Sequence, residues 1–149
     1  MEREPLFKVI KPRLRQRISD PIKISYVDDD KWAVDGQTNI LSRKGYEVTG
    51  FQVIYRPGVR IQEKQIETLI EKIAQSSMLS IVDLGLGSIN THALLDNLKS
   101  KGVLTIILTG AISRAERLEE FEGVSNLILS KPLRRNELDE AIKKVLHIS

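Results

Sequence analysis

The chain of 149 residues contains no cysteine. That excludes disulfides, thiol catalysis and thiolate metal sites, and fits a reducing compartment. Its two histidines, His92 and His147, lie too far apart in sequence to form a zinc spacing. No apolar run approaches the ~20 residues that a membrane-spanning helix needs. Residues 1–20 lack the continuous apolar core and small-residue cleavage site of a secretory signal. These absences together predict a cytoplasmic protein. Aromatic residues are few, and the single tryptophan, Trp32, closely follows an acidic run, where its fluorescence would report metal binding. Hydrophobic content of 41% is ordinary for a globular protein, and the length suits one domain with a full-sized core.

The net charge of +3 is unevenly placed. Arg3, Lys8, Lys11, Arg13, Arg15 and Arg17 outnumber Glu2, Glu4 and Asp20, so residues 1–20 carry the whole excess and the rest of the chain is balanced. The first twenty residues therefore read as a basic N-terminal extension, and residues 21–149 as the folded domain. Pro5 and Pro12 interrupt the extension, while Phe7, Val9, Ile10 and Leu14 give it enough apolar character for a short strand or helix to pack on the domain.

From Pro21 onward, strand-like and helix-like stretches alternate. Strands are predicted over residues 22–27, 46–55, 78–82, 103–108 and 124–129, each β-branched or continuously apolar. Helices are predicted over 31–44, 61–76, 90–101, 113–120 and 134–146. Ile66, Leu69, Ile70 and Ile73 mark the second at helical spacing, and Leu138, Ile142, Val145 and Leu146 mark the last. Asp30 is placed to cap the first helix. Five successive βα units predict an α/β fold: a five-stranded parallel sheet, doubly wound as a (βα)5 flavodoxin-like three-layer sandwich.

Polar residues cluster where these strands end. Asp28-Asp29-Asp30 follow the first strand, Asp83 the third, Thr109 the fourth and Lys131-Pro132 the fifth. Open α/β sheets bind ligands at the carboxyl ends of their strands. Several carboxylates, a hydroxyl and an ammonium gathered there suit a divalent cation and a phosphoryl group. Taken singly, each has an ordinary structural reading: an acidic turn with a helix cap, a strand-end turn, a loop that starts a helix.

In this order and at these positions, the residues resemble the receiver domain of bacterial response regulators, over roughly Ile22 to Leu146. The resemblance implies that Asp83 accepts a phosphoryl group, that Asp28, Asp29, Asp83 and the carbonyl of Gly85 hold Mg²⁺, that Thr109 hydrogen-bonds a phosphoryl oxygen and that Lys131 pairs with Asp83. It implies a histidine kinase or phosphotransfer protein as donor and a downstream effector protein as reader, with homodimerisation left open. The only catalysis implied is self-phosphorylation and self-dephosphorylation. The implied switching face holds the charged helix over 113–120, the fifth strand and the last helix, where Arg114, Arg117, Arg134 and Arg135 could meet an acidic partner.

Three departures from the receiver pattern stand out. Gly87 and Thr91 occupy positions usually held by proline and glycine. Ile128 stands where an aromatic ring usually transmits the switch. The segment from Tyr46 to Asp83 is longer than a strand–helix–strand unit requires, with the surplus near Gly50 to Gln62; Phe51, Val53, Ile54 and Tyr55 are too apolar for a free loop and are expected to pack. Ile128 and the altered loop keep a second reading open, a receiver-like protein–protein adaptor that does not use phosphorylation. Nucleic-acid binding would run weakly through residues 1–20. A flavodoxin-type cofactor is disfavoured, because carboxylates at the first strand end would repel its phosphate.

Overall fold

The computed structural model describes residues 5–11, 21–87, 89–110 and 119–148. The described strands are β1 (Phe7–Ile10), β2 (Lys23–Asp28), β3 (Glu47–Val53), β4 (Leu79–Asp83), β5 (Leu104–Thr109) and β6 (Leu127–Ser130). The main helices are α1 (Lys31–Arg43), α2 (Glu63–Ser76), α3 (Thr91–Ser100) and α4 (Glu137–Leu146). The predicted helix over 113–120 and the basic residues Arg114 and Arg117 lie mostly or wholly outside the described residues, as does the stretch 12–20.

The sheet runs β1-β3-β2-β4-β5-β6. β2 to β6 form the expected parallel sheet in the doubly wound order. The difference from expectation is the sixth strand: β1, from the basic extension, pairs antiparallel with β3, Phe7 opposite Val53 and Ile10 opposite Gly50. Leu6 is buried, Phe7 packs its ring 5.8 Å from Phe51, and the Ile54 N–H donates to the Leu6 carbonyl at 2.7 Å. This strand covers the edge that the surplus apolar residues would otherwise expose. Phe51 and Val53 are buried beneath it, whereas Tyr55 stays half exposed.

Two cores sandwich the sheet. Leu69, Ile70 and Ile73 of α2 and Leu94, Leu95 and Leu98 of α3 pack on one face with Val27, Val82 and Ile107. Val34 and Leu41 of α1 and Leu138, Ala141 and Ile142 of α4 pack on the other with Tyr26, Ile81 and Ile106. A row of hydroxyls crosses the first face near the amino ends of the strands. Thr49, Ser25, Ser80 and Thr105 are neighbours in register and all buried. Ser25 donates to Ser80 at 2.7 Å, and Ser77, closing α2, lies 2.9 Å from Ser25.

Asp30 caps α1 as expected, accepting from the Trp32 N–H at 2.9 Å. The last helix begins three residues later than its sequence pattern suggests. Asn136 adopts a left-handed conformation with φ 64°, and the Arg134 N–H is taken by the Glu137 side chain at 2.8 Å. β6 likewise starts late, because Asn126 reaches back and accepts the Thr105 N–H at 2.9 Å through its side chain, tying down the residues before the strand.

Candidate functional site

Asp28 and Asp83 terminate neighbouring parallel strands, β2 and β4, so the sheet brings them to one rim. Both are buried: Asp28 is 1% exposed and Asp83 6%. A buried carboxylate needs partners. Asp28 Oδ1 accepts the Asp30 N–H at 3.1 Å and its Oδ2 accepts the Tyr26 hydroxyl at 3.2 Å. Asp83 Oδ1 accepts the Gly85 N–H at 2.7 Å, and its Oδ2 forms an ion pair with Lys131. Asp29 is exposed.

Lys131 arrives because β6 pairs with β5, Thr109 opposite Ser130, and the Lys131 N–H donates to the Thr109 carbonyl at 2.9 Å. The Lys131–Pro132 peptide bond is cis. Thr109 is buried at the same rim, and the Ser130 hydroxyl beside it is buried without a hydrogen-bond partner among the described residues. The sheet thus brings Asp28, Asp83, Thr109 and Lys131 together at the carboxyl ends of the strands. Asp29 and the Gly85 carbonyl carry their roles only as expectations. Among the described residues, no group of three or more histidine or carboxylate side chains is gathered as a ready metal site.

The charges do not balance at this rim. Burial, more than any other cause, pushes the Asp28 carboxyl up to about 6; the Asp30 N–H opposes this and the Asp83 charge adds to it. Burial also works against the Lys131 ammonium, yet its hydrogen bond and charge contact with Asp83, aided by Asp28 and Asp30, hold it above the ordinary lysine value. One ammonium faces two buried carboxylates. A hard divalent cation that takes one or two carboxylates and keeps its waters fits this surplus of negative charge.

Tyr26 was not singled out in the sequence as part of the site. The signal was there: it sits two residues before Asp28 on the same strand, and a period of two puts both side chains on one face. The departure at Gly87 also has a local cause. Its φ is 66°, which proline cannot adopt, and a Cβ there would lie 2.7 Å from the Tyr55 ring. The surplus segment after β3 therefore lays an aromatic ring against the loop that follows Asp83. Ile128 is half-buried and packs against the α2–α3 side of the core.

With this geometry in view, the comparisons with known proteins are decisive for the fold. A receiver domain of a response regulator from Methanospirillum hungatei superposes with a TM-score of 0.66 at 24% identity, covering 86% of this chain and 95% of its own. The chain has the receiver-domain fold. A response regulator from Thermotoga maritima gives a TM-score of 0.63 at 16% identity, over 85% of this chain and 98% of that one. A protein described as pilus assembly-related from Burkholderia pseudomallei gives a TM-score of 0.62 at 17% identity over 86% and 92% of the two chains. No protein-family model and no curated protein matches the sequence.

A groove of about 500 Å³ lies apart from this rim, between the end of α1 and the start of α4. Arg43, Lys44, Arg134 and Arg135 line it together with Glu137, Asp139 and the apolar Ile40 and Leu133, which leaves an excess of positive charge. No helix among the described residues is long and apolar enough to cross a membrane.

Proposed function

We propose that this chain is a phosphoryl-accepting signalling receiver that works in the cytoplasm. The observation that carries the reading is the pairing of Lys131 with Asp83 beside a second buried carboxylate, Asp28, at the carboxyl rim of a receiver fold. A carboxylate oxygen of Asp83 attacks the phosphorus of a phosphohistidine on a kinase or phosphotransfer protein. The P–N bond breaks, the imidazole leaves with the electron pair, and an acyl phosphate remains on Asp83. Asp28, Asp29, Asp83 and the Gly85 carbonyl would hold Mg²⁺, which supplies charge neutralisation for the phosphoryl oxygens. Lys131 moves from the carboxylate to a phosphoryl oxygen, and the Thr109 hydroxyl donates to another. Output runs through an effector protein, for which the basic groove with Arg134 and Arg135 is a fitting surface for acidic side chains.

Intact-mass measurement after incubation with acetyl phosphate and Mg²⁺ tests the reading. The wild type is expected to gain one phosphoryl group and Asp83→Asn none. Equal labelling of the two would remove Asp83 from the acceptor role. A second reading, an adaptor that does not use phosphorylation, is favoured by one observation: Ile128 packs in the core where a switching ring would stand. Binding of neither Mg²⁺ nor a beryllofluoride phosphate mimic would support the adaptor.

A further inference from the structure

We propose that Tyr26 is a positioning residue of the acidic pocket: its hydroxyl holds Asp28 in the orientation in which the site takes a divalent cation. The inference rests on the metal-binding reading above and adds a residue to it. Tyr26 is 2% exposed, yet its hydroxyl is not simply stored in the core; it ends at Asp28 Oδ2, 3.2 Å away. The other Asp28 oxygen is fixed by the Asp30 N–H at 3.1 Å. The carboxylate is thus held at both oxygens, and its rotation about the terminal bond is blocked from two sides. Each oxygen keeps a second lone pair for a cation or its water. Groups that orient a metal ligand from behind commonly set affinity by about ten-fold or more.

On β3, Gly50 stands opposite Tyr26 in register, and Val34 and Thr38 of α1 close over it. On β4 the opposite residue is Ile81, which packs in the same core as the Tyr26 ring. A phenylalanine at position 26 would keep the buried ring and leave Asp28 Oδ2 without its donor.

Isothermal titration with MgCl₂ on the full chain tests this, using wild type, Tyr26→Phe, Asp28→Asn, the double variant and Ser25→Ala. Ser25→Ala removes a buried hydroxyl from the same strand but on the opposite face. Tyr26→Phe is expected to weaken Mg²⁺ binding about ten-fold, Ser25→Ala to leave it unchanged, and the double variant to bind no worse than Asp28→Asn alone. Tyr26→Leu serves as a second hydroxyl-free variant should Phe disturb folding. Unchanged affinity in Tyr26→Phe alongside weakened binding in Asp28→Asn overturns the role of Tyr26 while the metal reading stands. Losses that add in the double variant overturn it as well, since Tyr26 would then act other than through Asp28. No Mg²⁺ binding by the wild type overturns the metal reading and this inference with it.

Discussion

A single buried acid makes the pocket's electrostatics measurable. The folded-state pKa of Asp28, about 6, lies above the ordinary carboxyl value near 4. Between these values the folded state binds the proton more tightly than the unfolded one. The stability this group contributes is therefore fully present below about pH 4 and is lost as pH rises through about 6. The loss is at most about 3 kcal/mol, since roughly two pKa units at about 1.4 kcal/mol each set its ceiling. Urea unfolding at pH 4.5 and pH 7.5 should show the slope in the wild type and a flatter one in Asp28→Asn. The residue scale is also where the sequence was most and least legible. Asp83 and Lys131 could be placed at the rim because the first follows an apolar strand run directly and the second follows one after a single serine, Ser130. Tyr26 is easily passed over, because inside such a run an aromatic reads as core; its two-residue offset puts it on the Asp28 face, but only the paired geometry shows what its hydroxyl touches.

At the scale of elements, two contacts depend on details smaller than any hydrophobic pattern. The α1 helix approaches β3 so closely that a Cβ on Gly50 would lie 2.6 Å from Val34 Cγ1 and 2.9 Å from Thr38 Cγ2. Gly50→Ala should cost about 1–3 kcal/mol, because both neighbours belong to a packed helix face and cannot swing away; the urea midpoint reports it. The second contact is β1. Periodicity gave the parallel strands, since their apolar runs are buried on both faces. β1 is a four-residue edge strand with a lysine in its middle, so composition alone left it open between strand and helix. Its anchor is Leu6, 6% exposed. Leu6→Ala should lower stability by about 2 kcal/mol or more. Uncovering the β3 edge should also raise self-association, measured by light scattering against wild type. The late starts of β6 and α4 escaped the sequence reading for a related reason: side chains of Asn126 and Glu137, not periodicity, set those boundaries.

For the whole molecule, the hydroxyl row and the acidic rim are two ends of one ruler. Ser25 faces Ser80 in register, and three residues further along the same strands stand Asp28 and Asp83, roughly 10 Å away at the usual strand rise. A one-step slip of β4 along β2 would set Leu79 or Ile81 against Ser25 and strand a hydroxyl in the core. Such a slip would also push the two acids out of level with each other. Misaligned chains are thus penalised at the end of the sheet away from the acidic rim. The polar stitch at the far margin acts as a vernier while the strands align; once the sheet has closed, the ladder between β2 and β4 keeps the two acids level without it.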